Sequence, residues 1–335
     1  MAHSNSSLNC FAGCMAKYEH NYILHTPSCR PPSPHLIFGT MAHEVLYKAG
    51  VLRDNIEDGV ICEYSTIIPS EVLYSDLKQE FQIKRWDRYF NNVINQIVKY
   101  EHDLCNDLLE ETGESMTIDR EIKLQITPDE LGLMGYRVNQ PLVGVIDLLI
   151  RTKNYAVIID YKFSTSRKSQ DDFDMNSQLP IYAMLVNKRY GVPLRNIRYG
   201  YIDIPKQDFG EPTLLSNGTL SRAKSQNISP ELYEKAVYAI HGDDEKYNCK
   251  PGGYYHDAWC SFALNKPAYL SYQWLDMEVY DNVTKDVLNA AVMVDMMRNN
   301  KLPFLKKYDV YSCKSCDFLE ACKPWLKVNH GMDII

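Results

Sequence analysis

Two apolar segments separated by a polar dipeptide most constrain the fold of this chain. Residues 142–151 and 155–162 are rich in valine and isoleucine, and Lys153-Asn154 lies between them. Such residues favour strands, and a short polar break between two strands is typical of a hairpin turn. Both segments are apolar at nearly every position, which indicates strands covered on both faces. The pattern therefore predicts a buried β-hairpin within an α/β protein.

Three charged residues interrupt this hairpin, namely Asp147, Asp160 and Lys162. If Lys153 and Asn154 form the turn, the register places Asp147 opposite Asp160, with Cβ atoms about 5 Å apart. Lys162 follows Asp160 by two residues and therefore shares its face of the strand. Two carboxylates this close repel each other unless a cation lies between them, and charges are seldom buried without a partner. We therefore expect a divalent-metal site with an ammonium group beside it, in preference to a solvated surface hairpin.

Composition limits the remaining possibilities. The chain has 335 residues, enough for one large domain or two ordinary ones. No apolar run approaches the length of about 18 residues that a membrane span needs, and the first residues do not resemble a signal peptide. We therefore expect an intracellular, cytoplasmic protein without a membrane partner. The net charge of −7 does not indicate a general nucleic-acid binder, although a local groove can still bind one.

The spacing of apolar residues predicts the remaining elements. One or two long helices are expected over residues 70–112, further helices over 36–49, 177–189 and 278–299, and strands over 118–126 and 196–204. Gly50 and Gly191 stand where glycine commonly ends a helix. Residues 205–275 are rich in glycine, serine and asparagine and show no clear architecture.

Two further features carry polar residues at helical spacing. Gln178 and Tyr182 are four residues apart and therefore lie on one helix face. His43 lies in the predicted helix over residues 36–49. Each of these is more simply explained alone as an ordinary surface or packed residue.

Their order along the chain is more informative than any one of them. Four motifs follow one another: Gly39-Thr-x-x-His43, Gly144-x-x-Asp147, Asp160-x-Lys162 and Gln178-x-x-x-Tyr182. With this order the chain resembles the RecB-like nucleases of the PD-(D/E)XK superfamily, from about residue 8 to residue 322. The resemblance implies a restriction-endonuclease-like core, in which helices flank a central mixed β-sheet. It implies one nuclease domain over residues 1–335 with a helical N-terminal region, a helical insertion over 50–115 and an insertion of unknown role over 205–275.

The resemblance also implies a metal-dependent DNA nuclease and assigns roles to residues. The ligands of Mg²⁺ or Mn²⁺ would be His43, Asp147 and Asp160. Lys162 would be the catalytic lysine, and Gln178 and Tyr182 would support the site and contact DNA. Glu121, on the preceding strand, is a weaker candidate for an auxiliary acid. Carboxylates suit these hard cations, and a bound cation helps water to attack a phosphodiester.

A cysteine-rich tail predicts a second metal centre. The ligand spacing is Cys-x₂-Cys-x₅-Cys, formed by Cys313, Cys316 and Cys322. Three thiols at this spacing in a cytosolic protein favour metal binding over disulfides. The chain also resembles the iron–sulfur branch of the family, which includes AddB-type nucleases and CRISPR-associated RecB-like exonucleases. That likeness implies a structural [4Fe–4S] cluster formed by residues 300–335 with Cys14. Cys10 and the less favoured Cys29 are other candidates for the fourth ligand. Zn²⁺ is an alternative metal.

We therefore expect an exonuclease that acts on single-stranded DNA or on DNA ends. The chain has no nucleotide-binding Gly-x₄-Gly-Lys-Ser/Thr motif, so any unwinding would come from a helicase or recombination partner. An adaptor that acts mainly through a partner complex and a structure-specific endonuclease remain alternatives, and so does RNA as the substrate. Polarity and oligomeric state stay open. The aromatic residues Trp86, Tyr89 and Phe90, next to Lys84, Arg85 and Arg88, suit either base stacking or a helix core.

Overall fold

A mixed β-sheet forms the centre of the protein. The computed structural model describes residues 2–30, 33–54, 83, 86–164, 169–206, 209–262, 265–300, 303–305 and 309–323. Within these residues the sheet has six strands: β1 (His3–Ser4), β2 (Thr117–Ile126), β3 (Leu142–Arg151), β4 (Ala156–Ser164), β5 (Ile197–Pro205) and β6 (Tyr269–Trp274). The order is β1-β3-β4-β5-β6, and β2 pairs antiparallel with β3. Strands β4 and β5 are parallel, whereas β3 and β6 run antiparallel to their neighbours β4 and β5.

Helices surround this sheet. They are α1 (Asn5–Gly13), α2 (Met15–Tyr18), α3 (Pro34–Asp54), α4 (Trp86–Thr112), α5 (Pro128–Leu133), α6 (Gln170–Asp174), α7 (Gln178–Tyr190), α8 (Pro230–His241), α9 (His256–Ser261), α10 (Met277–Asn299) and α11 (Val310–Lys314). No helix among the described residues is long and apolar enough to cross a membrane.

Both faces of the sheet are covered, as the apolar hairpin predicts. One core joins the sheet to α1, α7 and α10, and another joins it to α3 and α4. Ile158 and Ile159, which face opposite sides, are both fully buried. The predicted restriction-endonuclease-like arrangement of a mixed sheet between helices is therefore confirmed.

The predicted end of the short helix over residues 36–49 is wrong. Helix α3 continues to Asp54, so Gly50 lies inside it. A Cβ atom at Gly50 would lie 2.5 Å from the Arg120 side chain, so the glycine makes room for that arginine. By contrast, α7 ends as predicted at Gly191, whose φ of 74° lies in the left-handed region that glycine favours.

The long stretch without a predicted architecture contains both a small core and a sheet strand. Helices α8 and α9 enclose buried aromatic residues that include Tyr233, Tyr255 and Phe262. Further on, β6 pairs with β5, so the end of the expected insertion over 205–275 belongs to the central sheet. Residues 55–82 of the other expected insertion, over 50–115, lie outside the described residues, and its later part is α4.

The aromatic residues at the start of α4 belong to the core. Trp86, Tyr89 and Phe90 are all buried, and the ring centroids of Trp86 and Tyr89 lie 5.7 and 6.2 Å from that of Phe38. Buried rings cannot stack on nucleic-acid bases, so the helix-core interpretation is confirmed and the stacking interpretation is wrong. Arg88 donates to the carbonyl of Phe209 at 2.8 Å, and Lys84 and Arg85 lie outside the described residues.

Candidate active site

The hairpin has the predicted register, and it opens at the two acids. Ladder pairs run from Arg151 with Ala156 to Leu148 with Ile159, one pair short of Asp147 and Asp160. At the open end, the backbone N–H of Tyr161 donates to Asp147 Oδ2 at 2.7 Å. The Asp147 carboxylate thus satisfies a backbone donor at the point where the strands separate.

A matching irregularity occurs on β2. Glu121 has a φ of 47°, in the left-handed region that costs a residue with a side chain on the order of 1–3 kcal/mol. Its neighbours Arg120 and Ile122 pair with β3, but Glu121 lies opposite Asp147 without a ladder pair. On the two sides of Glu121 and Asp147, the even-numbered apolar residues of β2 and β3 pack into different cores of the protein. The strain therefore lies where two acids from adjacent strands meet.

His43 of α3 completes a group that could hold a metal ion. Its Nδ1 lies 3.4 Å from Asp147 Oδ1 and 3.6 Å from Glu121 Oε1. Among the described residues, these three form the group whose ligand atoms all lie within 4.8 Å of one another. Two carboxylates and one imidazole fit Mg²⁺ or Mn²⁺. Glu121, a weaker candidate from the sequence, thus stands next to two of the predicted ligands.

The charge state of His43 depends on these neighbours. Burial lowers its pKa, but hydrogen bonds and charge interactions with Asp147 and Glu121 outweigh this effect and raise the pKa to about 10. In the metal-free protein an imidazolium therefore holds the two carboxylates together. His43 would have to lose that proton to bind a metal ion.

Asp160 and Lys162 lie beside this group and are joined to α7. Lys162 Nζ is 2.5 Å from Asp160 Oδ2, and Asp160 is almost fully buried. Gln178 Nε2 donates to Asp160 Oδ1 at 2.9 Å and to the Tyr182 hydroxyl at 2.7 Å. The side-chain oxygen of Gln178, Oε1, accepts a hydrogen bond from Lys162 Nζ at 3.0 Å. The predicted residues of two separate motifs therefore form one hydrogen-bonded network.

Burial also shifts the acid–base properties of this network. Burial raises the pKa of Asp160, and the nearby Asp147 charge raises it further, while Lys162 opposes both effects. The pKa of Tyr182 is raised by burial and then by Asp160, so its hydroxyl stays protonated. These shifts favour the protonated forms of Asp160 and Tyr182 close to the candidate metal group.

The two motif glycines have different surroundings. A Cβ atom at Gly144 would lie 2.7 Å from Leu185 Cδ1 and 2.8 Å from Tyr182 Cε1. Its absence lets α7 approach β3 closely and sets the position of Tyr182. A Cβ atom at Gly39 would meet nothing within 4 Å, because Gly39 lines an open cleft beside His43 and Glu121.

A buried pair that the sequence did not indicate supports the strained strand. Arg120 Nη1 and Nη2 donate to the two carboxylate oxygens of Glu101 at 2.7 and 2.8 Å, and both side chains are buried. Tyr161, whose backbone holds Asp147, also directs its hydroxyl toward Glu101 at 3.4 Å. Glu101 lies in a polar helical sequence, where a buried glutamate cannot be distinguished from a solvated one.

The cysteines of the two chain ends meet in a separate pocket. Cys10, Cys14, Cys313 and Cys316 all line it, and Cys322 follows Phe318 by one helical turn. The pocket has a partly exposed ion pair at its edge, with Lys17 Nζ 3.6 Å from Asp317 Oδ2. The predicted approach of the chain ends is therefore present, and Cys10 lies in the pocket with Cys14.

Two of these sulfur atoms accept backbone hydrogen bonds. The N–H of Lys17 donates to Cys14 Sγ and that of Phe318 to Cys316 Sγ, both at 3.5 Å. Burial raises the pKa of the Cys10 and Cys316 thiols. Cys29 lies at the edge, where its N–H donates to the Asp317 carbonyl at 2.9 Å.

Comparison with known proteins assigns the family. The family model of the PD-(D/E)XK nuclease superfamily matches residues 2–323. The structure is similar to a proposed exonuclease from Eubacterium rectale (10% identity, TM-score 0.45, covering 99% of this chain and 94% of that chain). It is also similar to the protein SSO0001 (13% identity, TM-score 0.25, covering 85% and 96%). No curated protein gives a significant match. Because the family match spans nearly the whole chain, the protein belongs to the PD-(D/E)XK nuclease superfamily.

Proposed function

We propose that the protein is a metal-dependent DNA exonuclease of the RecB-like type, which acts on single-stranded DNA or on DNA ends. One observation carries this proposal. Where strands β3 and β4 separate, two buried acids and a lysine meet a histidine and a third acid beside an open cleft: Asp147, Asp160, Lys162, His43 and Glu121.

The donor atoms fit a divalent cation. His43 and Asp147 would hold it, with Glu121 and Asp160 as the adjacent acids that complete the set. Mg²⁺ or Mn²⁺ at this place would lower the pKa of a water molecule and offset charge on the phosphate. The strain at Glu121 supports this assignment, because strained backbone persists where the surroundings or the function require it.

Lys162 would stabilise charge during cleavage. Asp160 and Gln178 both bind its ammonium group, and its side chain keeps 29% of its surface exposed. A cation fixed in this way can face the negative charge that develops on a phosphate without having to reorganise. Gln178 orients Asp160 and Lys162, because its side-chain amide forms hydrogen bonds with Asp160, Lys162 and Tyr182.

The cleft beside the site supports a single-stranded substrate. Its wall on α3 carries Leu36, Tyr47 and the small residues Gly39 and Thr40. Leu36 and Tyr47 are 63% and 41% exposed, and exposed aromatic surface suits stacking against unpaired bases. At the rim, Lys206 adds positive charge, with its Nζ 3.1 Å from His35 Nδ1.

For the cysteine pocket we propose a structural [4Fe–4S] cluster. Cys14, Cys313, Cys316 and Cys322 are the proposed ligands, with Cys10 as the competing donor. Zn²⁺, which thiolates can also bind in tetrahedral geometry, is the alternative metal. Such a clamp would join distant chain segments and reduce the entropy of the unfolded chain.

The proposal predicts a defined pattern of cleavage. We expect Mg²⁺- or Mn²⁺-dependent release of short products from end-labelled single-stranded DNA, and no cleavage of circular single strands. Asp160→Ala and Lys162→Ala should abolish cleavage while DNA binding is retained. Linear products from circles would indicate an endonuclease instead. DNA binding without cleavage by the metal-loaded wild type would favour an adaptor that works through a helicase or recombination partner, and cleavage of RNA alone would reassign the substrate.

A further inference from the structure

Ser177 holds a position that normally caps a helix, but its hydroxyl is used elsewhere. It precedes the first residue of α7 and makes no side-chain hydrogen bond to that helix. Asn176 satisfies the helix start instead, since its Oδ1 accepts from the N–H groups of Gln178 and Leu179 at 2.7 and 3.2 Å. The Ser177 hydroxyl is therefore free to bind another element.

That element is α1. Ser177 Oγ donates to Asn5 Oδ1 at 2.8 Å, and Asn9 Nδ2 donates to Ser177 Oγ at 2.9 Å. The two asparagines stand one helical turn apart, so they hold the hydroxyl from both sides. These bonds connect residues that are 168 and 172 positions apart in sequence.

Each end of this contact borders a proposed centre. Gln178, which follows Ser177, binds Asp160, Lys162 and Tyr182. Asn9, which precedes Cys10, lines the cysteine pocket. Two hydrogen-bonding steps, linked through the sequence neighbours Asn9–Cys10 and Ser177–Gln178, thus lead from the cysteine pocket to the acid–lysine pair.

We propose that Ser177 is a positioning residue that transmits the state of the cysteine pocket to Gln178, and this inference rests on the proposed nuclease function. The first turn of a helix lacks part of its internal hydrogen bonding, so its position depends on external contacts. If α1 moves when the pocket loses its metal, Gln178 moves with Ser177. Asp160 and Lys162 then lose the amide that orients them.

Substitution of Ser177 tests the first half of the inference. We expect Ser177→Ala to lower kcat about 10- to 100-fold with little change in KM, because a small displacement of catalytic groups is costly. Ser177→Thr, which keeps the hydroxyl, should restore most of this loss. The control is Ser229→Ala: Ser229 caps α8 by accepting from the N–H of Leu232, which packs against the separate core of α8 and α9, so kcat should stay at the wild-type value. Equal kcat in Ser177→Ala and Ser229→Ala would overturn the proposal.

A double-mutant cycle tests the second half. If the signal passes through Ser177, the kcat losses of Cys316→Ser and Ser177→Ala should not add in the double variant. Additive kcat losses would show that the cysteine pocket affects the active site by a route other than Ser177, and would overturn the proposed transmission.

Mn²⁺ affinity, measured by calorimetry, separates the two proposals because it needs no cleavage. We expect about tenfold weaker binding in Ser177→Ala and near-normal binding in Ser177→Thr. That result in a protein that cleaves no DNA would reject the proposed function and keep the positioning role. Unchanged Mn²⁺ affinity in Ser177→Ala would reject the positioning role.

Discussion

Asp147 accepts a hydrogen bond from the backbone N–H of Tyr161, with 2.7 Å between Tyr161 N and Asp147 Oδ2. The bond takes the place of a ladder pair at the open end of the hairpin. It leaves Asp147 Oδ1 facing His43 at 3.4 Å. The two oxygens of one carboxylate therefore have different tasks: one holds the strand opening and the other faces the candidate metal group.

This division of tasks separates two substitutions of Asp147. Asp147→Asn keeps an oxygen for the Tyr161 N–H but removes the charge, so we expect a folded protein with strongly reduced Mn²⁺ affinity. Asp147→Ala should also cost about 1–3 kcal/mol of unfolding free energy, because it leaves a buried donor without a partner. Urea denaturation of both metal-free variants checks this difference. Equal stability of the two would show that the bond to Tyr161 is not structural.

The buried Arg120–Glu101 pair should control Glu121. Removing one partner, as in Arg120→Met, leaves a buried charge and should cost about 3–5 kcal/mol of unfolding free energy. The variant should also bind Mn²⁺ more weakly, since Arg120 no longer holds β2 next to the strained Glu121. Circular dichroism and calorimetry on the metal-free protein provide the two measurements.

A partly exposed ion pair between β2 and β3 provides the control. Arg151 Nε lies 3.0 Å from Asp119 Oδ2, and both side chains are 24% exposed. Asp119→Asn, which removes the ion pair but leaves Arg151 stacked over the Tyr190 ring at 4.1 Å, should therefore change stability by only about 0–1 kcal/mol. If Arg120→Met retained wild-type Mn²⁺ affinity, the buried pair would have a purely structural role.

Some of this site could be predicted from the sequence. Strand periodicity and the hairpin turn were enough to place Asp147, Asp160 and Lys162, because side-chain direction in a regular strand follows from position alone. Strand periodicity does not give the position of Glu121. Its position depends on a left-handed backbone that no propensity favours for glutamate, and that is stabilised by tertiary contacts.

The same reasoning explains the errors outside the site. Gly50 has the sequence signal of a helix end, but its role is to make room for Arg120, a residue distant in sequence. The local pattern does not predict strand β6, because its partner β5 lies beyond a long polar segment. Local patterns carry no information about such contacts.

The raised pKa of His43 predicts a pH-dependent response to metal. With a folded-state pKa of about 10 against an ordinary value of 6.5, the metal-free folded protein binds a proton that the unfolded chain releases. This stabilisation is complete below pH 6.5 and is lost as the pH rises toward 10. Metal binding displaces the proton, so Mn²⁺ affinity should increase with pH over the same range.

Thermal unfolding and calorimetry between pH 7 and 9 check this prediction. The Tm of the EDTA-treated protein should fall with rising pH, while the Tm difference between the Mn²⁺-loaded and metal-free forms grows. In His43→Gln both trends should become weaker, because the substituted side chain does not titrate. An unchanged pH dependence in that variant would assign the effect to another titrating group.

Single cysteine substitutions should identify the ligands of the proposed cluster. Anaerobically purified wild-type protein should be brown, absorb near 400 nm (about the usual region for such clusters) and contain about four iron atoms per chain. Cys14→Ser, Cys316→Ser and Cys322→Ser should each lose iron and lower the Tm, since the chain ends are no longer joined. Cys10→Ser should keep both iron and colour if Cys10 only lines the pocket. The reverse result, with iron lost in Cys10→Ser and kept in Cys14→Ser, would move the fourth ligand to the helix that also carries Asn9. A colourless wild type with stoichiometric zinc would exclude the iron–sulfur assignment altogether.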